Sequence, residues 1–244
     1  MTIKDDSTTK TALITGASQG LGLALAKQLA QLRWRLIINA RTSTDLEAAR
    51  HQLAAQTHVT AISGDVTDPK HRELLLAAAQ QAGGLDLLIN NAGMLGPDLT
   101  TQQPELLEYP LDVLEQVFRT NVIAPLAIIQ TLKDTLKSGA ILINITSDAA
   151  VEAYPRWGGY GASKSALEQL SAILAAEQPE WRVYRVDPGD MRTAMHQAAF
   201  PGEDISDRPL PETSVPGFIK LINGNYPSGR YSAQKLLTES PAHT

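Results

Sequence analysis

A phenol and an ammonium four residues apart can work as an acid–base unit. The sequence offers that pair twice, as YGASK (Tyr160 to Lys164) and YSAQK (Tyr231 to Lys235). On a helix, residues i and i+4 share one face, so the Lys164 ammonium can sit beneath the Tyr160 phenol. A phenol of pKa ~10 is a poor proton carrier near neutrality, and a nearby cation favours its phenolate. On a strand the same spacing spans roughly 13 Å and joins nothing. The residues after Tyr160, ASKSALEQLSAILAA, read as a helix, whereas GRYSA (229–233) reads as the last strand. Ser147 sharpens the distinction, since it ends the apolar run ILINITS (141–147) thirteen residues before Tyr160, at a strand tip. No such serine precedes Tyr231. Only Tyr160, Lys164 and Ser147 can act together.

A second group of residues could hold a phosphate-bearing ligand. TGASQGLG (15–22) sits where the first strand turns into the first helix. There Gly16, Ser18, Gln19, Gly20, Leu21 and Gly22 can aim backbone N–H groups at a pyrophosphate, with the helix dipole in support. The spacing Gly-x-x-x-Gly-x-Gly is neither the usual dinucleotide fingerprint nor a Walker loop, and a tight turn that needs glycine reads the same way. GDVTD (64–68) ends the third strand and puts Asp65 and Val66 beside an adenine. NNAG (90–93) ends the fourth and puts Asn91, Ala92 and Gly93 where a ribose would pass. A structural turn explains either one equally well in isolation.

The end of the second strand, LIINAR (36–41), bears on the choice of cofactor. Ala40 offers no carboxylate to ribose hydroxyls, and Arg41 offers a guanidinium suited to a 2′-phosphate. Thr42 and Ser43 could add donors. These residues favour NADP(H) over NAD(H), against the alternative of a solvated loop arginine. One further feature concerns the backbone. Pro125 follows Asn121 by four residues and cannot donate to its carbonyl, so the helix beginning near Leu111 should kink, and the freed carbonyl could hold a water.

The elements that must position these groups alternate along the chain. Strands are expected at 11–15, 35–40, 59–63, 85–90, 140–146, 181–187 and 229–233, with helices between them, at 19–32, 44–55, from Asp68-Pro69 and at 216–222 among others. Uniformly apolar strands separated by helices imply an α/β fold, a Rossmann-type doubly wound parallel sheet of about seven strands with helices on both faces. Residues 11–237 are expected to form a single catalytic domain, with flexible tails at 1–10 and 238–244. The proline-rich, charged segment at 194–213 is expected to be a substrate lid, with a surface excursion as its alternative.

Composition excludes several functions. Net charge is −5 without a basic block, which argues against nucleic acid or an anionic membrane as partner. The chain has no cysteine, so disulfide and thiolate chemistry are ruled out. The five histidines are scattered without ligand spacing, and are read as surface residues rather than metal ligands. The polar, acidic start is unlike a signal peptide, and no apolar run reaches the ~20 residues of a span. A cytoplasmic protein is the expectation.

The ordered set TGASQGLG, NNAG, Asn121, Ser147, YGASK and DPGDMRT resembles the short-chain dehydrogenase/reductase family in its compact one-domain branch, over residues 11 to 193. That resemblance implies an NADP(H)-dependent reductase of a small-molecule carbonyl, or the reverse alcohol dehydrogenase. In it Tyr160 is the general acid or base, and Ser147 bonds the substrate oxygen. Lys164 lowers the phenol's pKa and holds the nicotinamide ribose, and Asn121 binds a water linking Lys164 to solvent. Pro188, Gly189 and Thr193 match the segment that meets the nicotinamide carboxamide. Relatives also imply a homodimer or homotetramer, through the helices at 111–136 and 160–176. Apolar residues there, such as Leu126, Ile129, Leu170 and Leu174, give weak support. The chain departs from the pattern in two places. Gln19 stands where many NADP-using relatives carry a basic residue, and the last strand lacks the frequent glycine-rich ending. A cofactor-sensing regulator without turnover and a sugar-nucleotide epimerase or dehydratase are the alternatives.

Overall fold

Short Leu-, Ile- and Val-rich runs pair side by side to make one sheet. A computed structural model describes residues 9–97 and 103–238. Its strands are β1 (Thr11–Ile14), β2 (Arg35–Ala40), β3 (Val59–Ser63), β4 (Leu85–Asn90), β5 (Leu136–Ile145), β6 (Arg182–Asp187) and β7 (Gly229–Ser232). They lie in the order β3-β2-β1-β4-β5-β6-β7, every neighbouring pair parallel. The chain winds outward in one direction from β1 and in the other from β4. That reversal opens a crevice at the strands' carboxyl ends.

The covering helices are α1 (Gly20–Gln31), α2 (Ser43–Ala54), α3 (Pro69–Gln81), α4 (Leu111–Phe118), α5 (Ala124–Leu132) and α6 (Gly158–Glu177). After β6 come α7 (Ala194–Ala199), α8 (Val215–Asn223) and α9 (Lys235–Thr238). Side chains of successive strand residues point to opposite faces, and both faces are apolar. Ile14, Ile38, Ile89 and Ile143 pack against α1, α2 and α8 in one core. Leu13, Ile37, Leu88 and Leu142 pack against α3 and α5 in the other. The doubly wound sheet is thus a consequence of this two-sided burial.

Strand boundaries follow the sequence expectation at β2, β3 and β4. β5 begins at Leu136 rather than 140, because Leu136 pairs with Leu85 ahead of a register shift. Gly139, at φ +76, allows the irregular backbone there. The helix carrying Tyr160 opens two residues before it, at Gly158. The expected break near Pro125 is a π turn over Arg119–Ile123, in which the Ala124 N–H reaches back to the Arg119 carbonyl. A widened turn lets the chain pass a proline without a clash.

Three other expectations need correction. Lys10, the last residue of the expected N-terminal tail, is exposed but tethered to β2, with its ammonium 5.2 Å from the Trp34 ring centroid and its carbonyl accepting the Arg35 N–H. The remainder of the expected tails lies outside the described residues, apart from Thr9 and Thr238. His71 is no surface residue: it is 4% exposed, with Nε2 2.8 Å from Asn39 Nδ2, because α3 lays it against the end of β2. Ile129 is buried in the α5 core, and Leu126, Leu170 and Leu174 are half-buried. Exposed apolar side chains on these helices are instead Leu111, Ile123 and Ile173. No helix among the described residues is long and apolar enough to cross a membrane.

Candidate active site

The tip of β5 and the first turns of α6 bring three of the four expected catalytic side chains together. Lys164 is 4% exposed and donates to the Ile145 carbonyl at 2.8 Å. Its ammonium lies 5.5 Å from the Tyr160 ring centroid, as one helical turn dictates. Burial lowers the lysine's pKa to about 8. Burial also raises that of the Tyr160 phenol, with the Asp187 and Asp148 carboxylates adding to the rise and the Ser147 hydroxyl opposing it. Ser147 donates to Asp148 Oδ1 at 2.8 Å.

Asn121, on the π turn, is engaged through its side chain. Its Oδ1 accepts the Met94 N–H and its Nδ2 donates to the Met94 carbonyl, each at 2.8 Å. The same Nδ2 reaches Ser163 Oγ at 2.9 Å, and Ser163 donates to the Tyr160 carbonyl. The turn is thereby tied to both the β4 exit and α6. Gly93 lies against this junction: a Cβ there would stand 3.5 Å from Asn121 Oδ1 and 3.8 Å from Lys164 Nζ.

The glycine loop closes the other side of the crevice. Gly16 and Gly20 have φ of +65° and +54°, which L side chains rarely adopt. A Cβ on Gly22 would meet the Gly16 carbonyl at 2.3 Å, so glycine lets α1 pack on its own entry loop. Asn91 spends its amide hydrogens on the Thr15 and Gly16 carbonyls and therefore braces the loop. Thr15 Oγ1 in turn accepts the Asn91 and Ala92 N–H groups, both at 3.0 Å. Gln19 is the extended N-cap of α1, without a side-chain cap bond, and Leu21 is buried in the core. Across the crevice, the Thr193 methyl is 3.7 Å from the Cβ position of Gly20. Thr193 caps α7, Pro188 accepts Ser214 Oγ at 2.7 Å, and Gly189 turns at φ +76.

The adenosine end is less uniform. Asp65 and Arg41 are exposed at the tips of β3 and β2. Burial works to raise the Asp65 pKa, but bonds from Thr67 and the Arg41 charge outweigh it and hold it low. Val66 points its side chain into the core with Leu13 and Ile37, so only its backbone is free to meet a ligand.

Tyr160 and Ser147 open onto a cleft of about 290 Å³. Trp157, Tyr154, Phe200 and His196 form its aromatic wall, and Asp148, Asp187 and Asp190 its acidic one. Trp157 lies 5.8 Å from Tyr160 edge-on and 6.0 Å from Phe200. The His196 and Phe200 rings are 4.9 Å apart. His196, Phe200, Met195 and Ala199 place part of the 194–213 segment on the cleft wall.

This ordered site matches the family model of short chain dehydrogenases over residues 10–204. The chain belongs to the short-chain dehydrogenase family. It is an NAD(P)-dependent oxidoreductase of that family. It is 33% identical to a benzil reductase ((S)-benzoin forming) of Saccharomyces cerevisiae over 225 residues, 89% of this chain and 82% of that one. It is 32% identical to the sepiapterin reductase of Bos taurus, covering 95% of this chain and 92% of the relative. A short-chain dehydrogenase of Shigella flexneri solved with NADP superposes with a TM-score of 0.83 at 28% identity, over 92% of this chain and 97% of that one.

Several site residues of this dehydrogenase went unread in the sequence. Thr15 carried a signal, since it opens the glycine motif. Asp148 directly follows Ser147, and adjacency alone could have raised it. Trp157, Phe200, His196 and Arg230 are scattered along the chain, and only the tertiary fold assembles them.

Proposed function

We propose that this enzyme uses NADPH to reduce the carbonyl of a small molecule bearing an aromatic or heteroaromatic group. The observation that carries the reading is the Tyr160 phenol stacked over a buried Lys164 ammonium, beside Ser147, at the floor of an aromatic-walled cleft. The named substrates of the two reductases above, benzil and sepiapterin, carry ring systems and agree with it.

Left-handed glycines at 16 and 20, and the absent side chain at Gly93 beside Asn121 and Lys164, fit a backbone cradle for a dinucleotide in this reading. When bound, the nicotinamide supplies the hydride. Tyr160 gives its hydroxyl proton to the carbonyl oxygen, and Lys164 steadies the phenolate that remains. Ser147 bonds the oxygen as negative charge builds on it. Backbone N–H groups from Gly16 to Gly22 hold the pyrophosphate. Gly93, Pro188, Gly189 and Thr193 flank the nicotinamide half, and Asn121 ties the β4 loop to α6. Arg41 reads the 2′-phosphate, with Asp65 beside it limiting the net positive charge there. In this reading the 194–213 segment acts as the lid, and the exposed Leu111 and Ile123 belong to a homodimer or homotetramer contact in the cytoplasm.

The test is a panel of aryl and alkyl carbonyls assayed with both cofactors by absorbance. A charge-assisted phosphate contact of about 1.5–3 kcal/mol predicts kcat/KM roughly ten- to a hundredfold higher with NADPH than NADH. Ala40→Asp combined with Arg41→Ala should reverse that order. No turnover of any carbonyl sinks the reading, and equal use of both cofactors removes Arg41 from it.

A further inference from the structure

The cleft in front of Tyr160 carries unbalanced charge. Asp148, Asp187 and Asp190 line it, and among the described residues no lysine or arginine does. Two of these carboxylates have a cation behind them. Asp187 lies 3.6 Å from Arg230, and Asp190, at the exposed rim, 3.8 Å from Arg208. Asp148 has only hydrogen bonds. Its Oδ1 accepts the Ala149 N–H at 2.8 Å and lies 2.8 Å from Ser147 Oγ. Its Oδ2 stands 3.1 Å from the Tyr154 hydroxyl, which has one hydrogen and lies nearer Glu152, at 2.8 Å. With that hydrogen on Glu152, Oδ2 is a charged acceptor without a donor. The cleft holds a second orphan. His196 lines it with a side chain 11% exposed, and its Nε2 is buried without a hydrogen-bond partner. Nδ1 is the nitrogen turned to Asp190 Oδ1, at 3.9 Å, and with its hydrogen there the neutral ring offers Nε2 as an acceptor. Burial pushes the Asp187 carboxyl up, Asp148 and Asp190 add to the rise, and the Gly189 N–H and Arg230 do not cancel it.

We propose that the carbonyl substrate carries an organic cation, an ammonium or protonated ring nitrogen, held by Asp148 against the rings of Tyr154 and Trp157. The inference rests on the carbonyl-reductase reading above and narrows its substrate class. A cation gains from a carboxylate that it bonds directly and from an aromatic face, tryptophan above all. The acidic wall and the aromatic wall of one cleft supply both. A metal ion does not fit instead, since no group of three His, Asp or Glu side chains among the described residues could hold one.

The test compares acetophenones that differ in one ring substituent, assayed with NADPH on the full chain. Trimethylammoniomethyl carries the charge, neopentyl has the same shape without it, and aminomethyl adds N–H donors. Both cations should give kcat/KM roughly tenfold above the neopentyl ketone at low salt, and the gap should narrow as salt screens it. Asp148→Asn keeps Oδ1 for the Ala149 N–H and removes the charge, so the cation-to-neopentyl ratio should fall severalfold. Asp190→Asn, at the rim, should lower it less. Because the readout is a ratio, a general loss of activity in either variant does not imitate the result. Equal kcat/KM of the wild-type enzyme for the trimethylammoniomethyl and neopentyl ketones overturns the proposal, as does a ratio that Asp148→Asn leaves unmoved. Should that variant not fold, the wild-type ratio and its salt dependence decide. If no ketone is reduced, the carbonyl-reductase reading fails, and calorimetry of benzyltrimethylammonium binding then decides the charge selection. Severalfold weaker binding to Asp148→Asn supports it, and no binding to wild type, or equal binding to both, overturns it.

Discussion

Two Tyr-x-x-x-Lys pairs stand 71 residues apart (160 to 231) in one chain, and the molecule uses them differently. In α6 the spacing closes one helical turn and puts the Lys164 ammonium against the Tyr160 ring. In the other pair Tyr231 lies on β7 and Lys235 opens α9, with a turn between them. The Tyr231 hydroxyl is spent on the Pro227 carbonyl at 2.7 Å, and its ring packs edge-on against Tyr184 and Tyr226. Spacing becomes chemistry only where the backbone makes i and i+4 neighbours. The second requirement is location, since Tyr160 opens into the strand-end cleft and Tyr231 does not.

The sharpest way to break this comparison is to remove one phenol at a time. Tyr160→Phe should lower kcat for carbonyl reduction by at least about 10²–10⁴-fold, the usual contribution of a positioned acid. NADPH affinity should change little, because the nucleotide's other contacts remain. A steady-state assay with fluorescence titration of the cofactor checks both. Loss of activity in Tyr231→Phe with retention in Tyr160→Phe would reverse the assignment.

A neighbour of Tyr231 sharpens the contrast within β7 itself. Arg230 points to the opposite face and reaches the catalytic strand tip, donating to Glu168 Oε1 at 2.8 Å and the Ser147 carbonyl at 3.1 Å. Glu168 also accepts Thr146 Oγ1 at 2.8 Å. Arg230→Ala would strand the buried Glu168 charge. We expect about 2–4 kcal/mol of lost stability, below the full cost of a broken buried pair because Arg230 is partly exposed. Chemical denaturation measures it, and kcat should fall as Ser147 loses its brace.

The fold was legible because its strands are apolar on both faces and its turns carry glycine or proline. Lys164 and Tyr160 were legible because a helix converts sequence spacing into distance. Asp148 was visible but uninterpreted, since nothing local says that its carboxylate turns back onto Ser147. Arg230 and Phe200 reach the site from 83 and 53 residues beyond Ser147, and Trp157, though only three residues before Tyr160, carries no periodic signal either. His71 misled because burial of a histidine depends on the packing of α3 rather than on its neighbours in sequence. The start of β5 hid in the polar residues LKSG, where a register shift replaces the apolar pattern.

The two lysines give a smaller and unequal pair of effects. Lys164 is buried with a pKa of about 8 against the ordinary 10.5, so folding opposes its charge. A lowered lysine pKa means that the unfolded chain binds more protons between pH 8 and 10.5. The cost is full below pH 8 and fades as pH rises through that window. Lys164→Met should therefore stabilise the cofactor-free protein by about 1–2 kcal/mol at pH 7 while abolishing turnover. The gain should shrink toward pH 10.5, as followed by thermal unfolding. Lys235→Met should leave both stability and turnover near wild type.

The smallest expected effect is the removal of the second phenol. Tyr231→Phe deletes one hydroxyl, whose partner is the exposed Pro227 carbonyl. Water can replace the lost donor, so the change should cost about 0.5–1 kcal/mol. The ring keeps its edge-on contacts with Tyr184, at 5.6 Å, and Tyr226, at 5.8 Å, and the core should stay packed. Burial already raises the Tyr231 pKa, with no cation to oppose it, so the phenol stays protonated and adds no charge for the substitution to remove. Turnover and the pH profile should match wild type within twofold. A larger loss of activity with stability intact would mean that β7 reaches the reaction through Tyr231 as well as Arg230, and the contrast between the two pairs would fail.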